Sequence, residues 1–392
     1  MKQRVLFAIG EMSGGGSQRQ ILGILKNLNR QQFEPELYVV SDHGELLGEV
    51  PADVPVHIFE RRHSAPIGKL PGSGFRARVR DLTKLLDERQ IQLVYDRTYH
   101  MTLITAAATR KRPTPRISVI VTDPKLDFET NPERFRTIKR RLLRNAYRNA
   151  DIVAAVSEGV RTAAADYHRL PLDRIETVYN FFDVDQIDRF SREELPEEFT
   201  RGEDCFRVVA AGRLHRQKGF DVLIEAAREV VHEYGHRKFV LAIFGTGENR
   251  SQLEQQIRDA NLKDEVWLVG FHINPLPIYR DSDLFVLSSR YEGMPNALVE
   301  AMLCGVPVLS TDCPSGPSEI LQGGRLGGLV PVEDASALAA AIDDAITNPP
   351  KWQQRSEEAR AQIVERYSAE SGIERVIKLF ERAIARFGET GR

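Results

Sequence analysis

Two carboxylates stand eight residues apart in Glu292-Gly293-Met294-Pro295-Asn296-Ala297-Leu298-Val299-Glu300. Leu284-Phe285-Val286-Leu287 before them reads as a buried strand, and the segment after them as a helix ending near Gly305. The first N–H groups of a helix have no intrahelical partner, so a strand–loop–helix corner attracts an anion. Pro295 suits the first helical position, where a missing N–H costs nothing. Glu300 lies about a turn and a half into the helix and leans back toward the same corner. Amides for charge and carboxylates for hydroxyls suit a phosphate-bearing ligand with hydroxyls nearby, the chemistry of a nucleotide sugar. Glutamates at this spacing also arise by chance, and Gly-x-Pro-Asn is ordinary turn chemistry. A second corner of the same kind therefore matters.

That corner is Val208-Val209-Ala210-Ala211-Gly212-Arg213-Leu214-His215-Arg216-Gln217-Lys218-Gly219. A buried strand ends in Gly-Arg, a short loop carries Lys218, and Val222, Leu223, Ala226, Ala227 and Val230 then repeat with helical period. Arg213 and Lys218 would converge above the carboxyl ends of the strands, where open α/β sheets bind ligands. A planar fork and a point charge together suit a diphosphate. Alone, a basic pair in a loop is ordinary solvated surface.

Gly212-Arg213-Leu214, Gln217-Lys218-Gly219, Phe244-Gly245-Thr246-Gly247, Glu292 to Glu300 and Ala301-Met302-x-Cys304-Gly305-Val306-Pro307-Val308 resemble glycosyltransferase family 4. The resemblance is specific over the second half and weaker over the first, where it rests on Gly14-Gly15-Gly16, Val156-Ser157-Glu158 and Tyr179-Asn180. It implies retaining transferases of GT-B fold, with two Rossmann-like domains facing across a cleft and a C-terminal helix crossing back to the first. It also implies that Arg213 and Lys218 hold the donor diphosphate and that Glu300 binds the ribose hydroxyls. Glu292, with the backbone of Gly293, Met294, Pro295 and Asn296, would hold the transferred sugar. Gly245 and Phe271 are further donor-side candidates, and Gly15, Gly16 and Asn180 are candidates from the first half. Ser310-Thr311-Asp312-Cys313-Pro314-Ser315-Gly316-Pro317-Ser318-Glu319-Ile320-Leu321 resembles members that use UDP-hexoses or UDP-N-acetylhexosamines, some acting on lipid-diphosphate-linked saccharides.

The elements that must position these residues are short apolar runs alternating with helical patterns. Val5–Ile9, Leu37–Val40, Val56–Phe59, Leu93–Tyr95, Ile117–Val121 and Ile152–Val156 read as strands, with helices such as Gln18–Leu28 and Arg78–Glu88 between them. Val208–Ala211, Val240–Phe244, Val266–Val269, Leu284–Leu287 and Val308–Ser310 repeat the theme. Alternating strands and helices argue for parallel α/β sheets. The expected domains are 1–185 for the acceptor and 186–372 for the donor, with 373–392 as the returning helix.

Composition bounds the class. A chain of 392 residues accommodates two cores, and 42% hydrophobic with 28% charged residues is ordinary for a globular protein. Cys205, Cys304 and Cys313 form no metal-ligand spacing, and no Asp-x-Asp pair stands at a strand end. No cofactor and no metal is therefore expected, the positive charge coming from Arg213 and Lys218. The chain enters its first strand without a signal-peptide pattern, and no run of about 18 apolar residues occurs. A cytoplasmic setting follows as the expectation. Residues 1–185 carry 29 basic and 23 acidic side chains, against 25 and 33 in the remainder, so only the first half is expected to meet an anionic partner.

The first-half candidates are less sharp. Gly14-Gly15-Gly16 after the first strand lets backbone approach a ligand, with Ser17 as the helix cap. The family's usual glycine-glycine-alanine-glutamate is replaced here, which removes a carboxylate. Many members carry a histidine after the strand matching Ile117–Val121, where this chain has Thr122-Asp123-Pro124. Asp123 is either a group that polarises an acceptor hydroxyl or a plain turn residue before proline. His100 is the other candidate for the missing histidine, or a structural histidine beside an apolar helix.

Arg134 to Arg148 holds seven cations and no acid. Phe135, Ile138, Leu142 and Ala146 form one apolar stripe, which would pack on the domain core and leave the cations in water. Seven like charges at helical neighbours repel, so an anionic membrane surface is the alternative partner. Nucleic acid is not expected, since neither an aromatic platform nor a recognition motif lies nearby. The expected function is a retaining transfer of a hexose or N-acetylhexosamine from a UDP-sugar to a saccharide acceptor, in particular a lipid-linked one, at the inner face of the membrane. A UDP-sugar 2-epimerase of the same fold and a non-catalytic nucleotide- or carbohydrate-binding protein are the alternatives.

Overall fold

The computed structural model describes residues 2–63, 72–130, 136–195, 199 and 205–390. It consists of two units, Met1–Phe181 with Ala369–Arg392, and Phe182–Ser368. The chain leaves the first between Phe181 and Phe182 and returns between Ser368 and Ala369. Each crossing falls four residues before the expected boundaries at 185/186 and 372/373. Backbone bonding explains where it falls. The Gln20 side chain donates to Phe181 O (2.8 Å) and accepts from Phe181 N (3.0 Å), whereas Phe182 N donates to Tyr367 O (2.8 Å).

The first unit is built on seven strands: β1 (Gln3–Ile9), β2 (Phe33–Val39), β3 (Val56–Ile58), β4 (Leu93–Arg97), β5 (Arg116–Ile120), β6 (Ile152–Ala155) and β7 (Ile175–Thr177). Their order is β3-β2-β1-β4-β5-β6-β7, all parallel. Side chains alternate across a strand, so each apolar run covers two faces. Leu6, Ala8 and Val94 pack with Val79, Leu82, Leu86, Met101 and Ile104 of the helices Ser73–Glu88 and Tyr99–Lys111. Phe7 and Tyr95 take the other face, where their rings meet Phe380 at centroid distances of 6.1 and 5.9 Å. Phe380 belongs to the C-terminal helix Ala369–Thr390, and its burial explains why that helix returns to the first unit.

The second unit has six parallel strands: β8 (Phe206–Ala211), β9 (Phe239–Phe244), β10 (Val266–Gly270), β11 (Leu284–Leu287), β12 (Val308–Thr311) and β13 (Gly328–Val330). The order is β10-β9-β8-β11-β12-β13. Strand numbering runs outward in both directions from β8 and β11, which makes their carboxyl ends the topological switch point where such sheets bind ligands. The helices Phe220–Arg228 and Ala335–Thr347 bury Leu223, Ile224, Leu338 and Ile342 against this sheet. Each unit is therefore Rossmann-like.

The basic helix spans Arg136–Arg148 among the described residues; Arg134 and Phe135 lie outside them. The expected stripe is corrected here. Leu143, Ala146 and Tyr147 are the buried residues, while Ile138 and Leu142 are exposed. Arg140 helps fix that rotation: its Nε and Nη2 donate to Tyr167 O at 3.0 and 2.7 Å, and its guanidinium lies 4.2 Å from the Tyr167 ring centroid.

Candidate active site

The two expected corners of the second unit meet at the carboxyl ends of β8 and β11. After β8 the chain makes a single turn, Arg216–Lys218, capped by His215 Nδ1, which accepts from Gln217 N (3.2 Å). Gly219 then adopts φ 62°, and a Cβ there would collide with Ser288 O, so only glycine lets the turn lie this close to the end of β11. Ser288 Oγ donates to Lys218 O (2.8 Å), Arg290 N to Gln217 O (2.7 Å) and Gln217 Nε2 to Tyr291 O (2.9 Å). This lacing delivers Lys218 Nζ to within 2.6 Å of Glu292 Oε1. Ser289 Oγ donates to the same oxygen at 2.7 Å. Glu292 is buried and Lys218 half-buried.

The Gly293–Asn296 loop follows, and the helix starts at Asn296 with Pro295 as its cap. Pro295 thus stands one residue before the first turn in which it was expected, with ψ of 97°. Gly305 ends the helix at φ 79°. Gly316, at φ 97°, backs the loop: a Cβ there would lie 2.7 Å from Pro295 Cδ and 2.9 Å from Gly293 O. Thr311 Oγ1 donates to Ser289 O (2.6 Å), so the segment after β12 walls the Glu292 corner. In that wall, burial and then the Glu292 charge push the Cys313 thiol up. Glu300 is half-buried, one turn before Cys304, whose thiol is pushed up to about 12 by burial first and then by the Glu300 and Asp188 charges.

Arg213 is exposed and makes no ion pair among the described residues. The loops after β8, β9 and β10 are tied together by Gly212 N to Phe244 O (2.9 Å), Leu214 N to Thr246 O (2.9 Å) and Gly245 N to Gly270 O (2.8 Å). Phe271 follows directly with 46% of its surface exposed. Arg213, Lys218, Gly245, Phe271, Glu292, Gly293, Met294, Pro295 and Asn296 thus follow the carboxyl ends of β8 to β11, and Glu300 lies further along the helix that opens there.

One residue that the motif reading passed over organises this edge. Arg290 Nη1 donates to Arg216 O (2.7 Å) and to Asp221 Oδ1 (2.8 Å), and Nη2 donates to Asp221 Oδ2 (2.7 Å). Its Nε and Nη2 also reach Glu333. Burial alone would raise the Asp221 carboxyl, yet the bonds from Arg290 hold it below the usual range. The two partners lie 69 and 43 residues away in the chain, and no local spacing points to them.

The first-unit candidates lie at the carboxyl edge of the first sheet. Gly15 caps the helix Gly16–Asn27, with Gln18 folded over it; Ser17 is inside the first turn and is not the cap expected of it. Asp123 Oδ1 accepts from Lys125 N (2.8 Å) and Leu126 N (3.2 Å), so it caps the helix Pro124–Thr130. Asn180 is buried, with Oδ1 accepting from Arg97 Nη2 (2.9 Å). The His100 ring lies tilted 4.0 Å from the Tyr99 ring. Its pKa is pushed down to about 4, by local burial first and then by Lys139 and Arg78. Among the described residues no His/Cys/Asp/Glu cluster is arranged to hold a metal.

Two Rossmann-like parallel sheets, with cations and carboxylates gathered at the switch point of the second, define a GT-B protein. Residues 14–186 match the model of Glycosyltransferase Family 4, and residues 191–362 match that of Glycosyl transferases group 1. Both matches are glycosyltransferase domains, and together they span residues 14–362. It is 33% identical over 176 residues to an uncharacterized glycosyltransferase of Methanocaldococcus jannaschii, a match covering 45% of this chain and 43% of that one. It is 24% identical over 340 residues to the N-acetylgalactosamine-N,N'-diacetylbacillosaminyl-diphospho-undecaprenol 4-alpha-N-acetylgalactosaminyltransferase of Campylobacter jejuni, covering 86% and 88%. The chain therefore spans less than half the length of the first relative and most of the second. Its fold superimposes on the Anabaena protein HepE crystallised with UDP and glucose, with a TM-score of 0.80, 22% identity, and 97% and 99% of the two chains covered.

Proposed function

We propose that this protein is a retaining glycosyltransferase that moves a hexose or N-acetylhexosamine from a UDP-sugar to a lipid-diphosphate-linked saccharide. The observation that supports this reading is the carboxyl edge of the second sheet, where Lys218 bonds Glu292, Arg213 stands in the loop after β8 and the Asn296–Cys304 helix opens after Glu292. The diphosphate gains charge as the glycosidic bond breaks, and cations aimed at it lower the barrier. Lys218 and Arg213 take that role, Glu292 and the Gly293–Asn296 backbone hold the sugar, and Glu300 binds the ribose hydroxyls. The acceptor hydroxyl attacks from the face the diphosphate leaves and passes its proton to a diphosphate oxygen. UDP as the donor nucleotide is supported by the UDP bound to HepE. The lipid-linked acceptor is supported by the activity named for the Campylobacter relative. The enzyme would then work on the cytoplasmic side, at the membrane surface.

The test is chromatography of the products after mixing the purified chain with a panel of UDP-hexoses and UDP-N-acetylhexosamines, with and without a bacterial lipid extract. UDP release that needs the extract is the expected result, and proton NMR of the product should show the donor's anomeric configuration kept. An epimerised UDP-sugar without transfer would replace the transferase with an epimerase. Inversion at the anomeric carbon would overturn the retaining mechanism.

A further inference from the structure

The face that the Arg136–Arg148 helix turns to solvent does not look like an ordinary charged surface. Ile138 and Leu142 are 57% and 51% exposed, and at a spacing of four they lie one above the other. At 100° per residue, Asn145, Arg141 and Arg148 follow on one side of the pair, and the buried Ala146 and Leu143 follow on the other, with the buried Tyr147 most nearly opposite. Two large aliphatic side chains with a row of cations along one edge is the pattern of a helix that lies in a membrane interface.

Among the described residues, neither Arg141 nor Arg148 pairs with an acid. No acid occurs from Arg134 to Arg148. Arg140 is committed to Tyr167 O, and Arg148 Nη2 reaches Arg169 O at 3.3 Å; both acceptors are backbone carbonyls at the end of the neighbouring helix Glu158–His168. Arg144 Nε is buried without a hydrogen-bond partner among the described residues. Arg144 is also crowded by Arg169, Arg148, Arg140 and Arg141. Arg141 is exposed and makes no ion pair among the described residues.

We propose that this helix docks the first unit on an anionic lipid bilayer, with Ile138 and Leu142 entering between the headgroups and Arg141 and Arg148 contacting lipid phosphate. The proposal deepens the lipid-linked acceptor reading, since it brings the first unit to the surface that holds such an acceptor. The exposed aliphatic pair favours a bilayer over nucleic acid, which offers phosphate but no hydrocarbon. Each cation at an anionic surface contributes about fivefold in affinity.

The experiment is sedimentation of the full chain with phosphatidylglycerol vesicles and with phosphatidylcholine vesicles, at low and at high salt. Binding to the first, weaker at high salt, and little binding to the second is expected. The double variant Ile138→Ser, Leu142→Ser should lose at least about tenfold of that binding, and Arg141→Glu about tenfold. Neither change touches the bonds that Arg140 makes, so circular dichroism should be native. No binding to phosphatidylglycerol, or full binding by the serine double variant, would overturn the proposal. Tighter binding to duplex DNA or RNA than to vesicles would replace the bilayer with nucleic acid. UDP release with a soluble saccharide acceptor is read on the same proteins and should be unchanged by these substitutions. If no protein releases UDP while vesicle binding stands, the transferase reading fails and the docking surface does not.

Discussion

Lys218 and Glu292 are 74 residues apart in the chain and 2.6 Å apart at their charged ends. The side chain assigned to the diphosphate is thus held by the one assigned to the sugar, and Ser289 braces the same carboxylate oxygen. On the proposed assignment this pair joins the two halves of the donor site, so it should carry both stability and turnover.

Lys218→Ala should cut turnover at least about a hundredfold, the loss typical of one group that stabilises developing charge. It should also lower the melting temperature, because a buried carboxylate left without its cation costs about 3–5 kcal/mol. Adding Glu292→Gln to that variant should restore much of the stability and none of the turnover. Calorimetry and UDP release on the same three proteins separate the two effects. Unimpaired turnover in Lys218→Ala would remove the lysine from the mechanism.

Arg290 should behave as a positioning residue. Its fork holds Arg216 O and Asp221 together, so the Lys218 turn depends on guanidinium geometry rather than on charge alone. Arg290→Lys keeps the charge and loses the fork. Donor KM should rise about tenfold in Arg290→Lys, equivalent to 1.4 kcal/mol, with a smaller change in kcat. A lysine variant with native KM would show that the clamp does not set the turn.

Asp123 offers a cleaner separation of roles. Its Oδ1 accepts from two backbone N–H groups, and asparagine can do the same. Asp123→Ala should cost about 1 kcal/mol of stability. Asp123→Asn should keep both melting temperature and turnover. A native melting temperature with a steep fall in turnover for Asp123→Asn would instead give the carboxylate a part in the chemistry.

How far the residues could be read in advance follows from range. The runs Val5–Ile9 and Val208–Ala211 are buried on both faces and therefore nearly uninterrupted, which made the parallel sheets legible. The edge strands Ile175–Thr177 and Gly328–Val330 are three residues long and mostly half-buried, and carry too little pattern to be seen. The Lys218 and Glu292 corners were legible because each is local, a strand end followed by a helix start. The bond between them, and the Arg290 clamp, depend on register between distant segments. The basic helix misled for another reason. Ile138 and Leu142 share the helical period as well as Leu143 and Tyr147 do, and only tertiary bonding such as Arg140 to Tyr167 O shows which pair turns inward.

His168 gives the protein a predictable acid sensitivity. It is buried between the two helices of the basic surface, its ring 4.9 Å from Tyr147 and 5.1 Å from Tyr167. Burial first, and then Arg140 and Arg144, push its pKa down to about 3. In the unfolded chain a histidine titrates near 6.5. Between these values the unfolded state binds the proton and the folded state does not. Stability from this group is complete above about pH 6.5 and falls as the pH drops toward 3. The loss is at most about 1.4 kcal/mol per pH unit. From pH 6.5 to 5 it should stand largely apart from carboxylates such as Glu36 and Asp221, which are held below their usual range and protonate later. His100, at about 4, titrates in the same direction, so His100→Gln is the control. Urea unfolding across pH 5 to 6.5 should show a positive slope of stability with pH that flattens in His168→Leu. An unchanged slope in that variant would place the titrating group elsewhere.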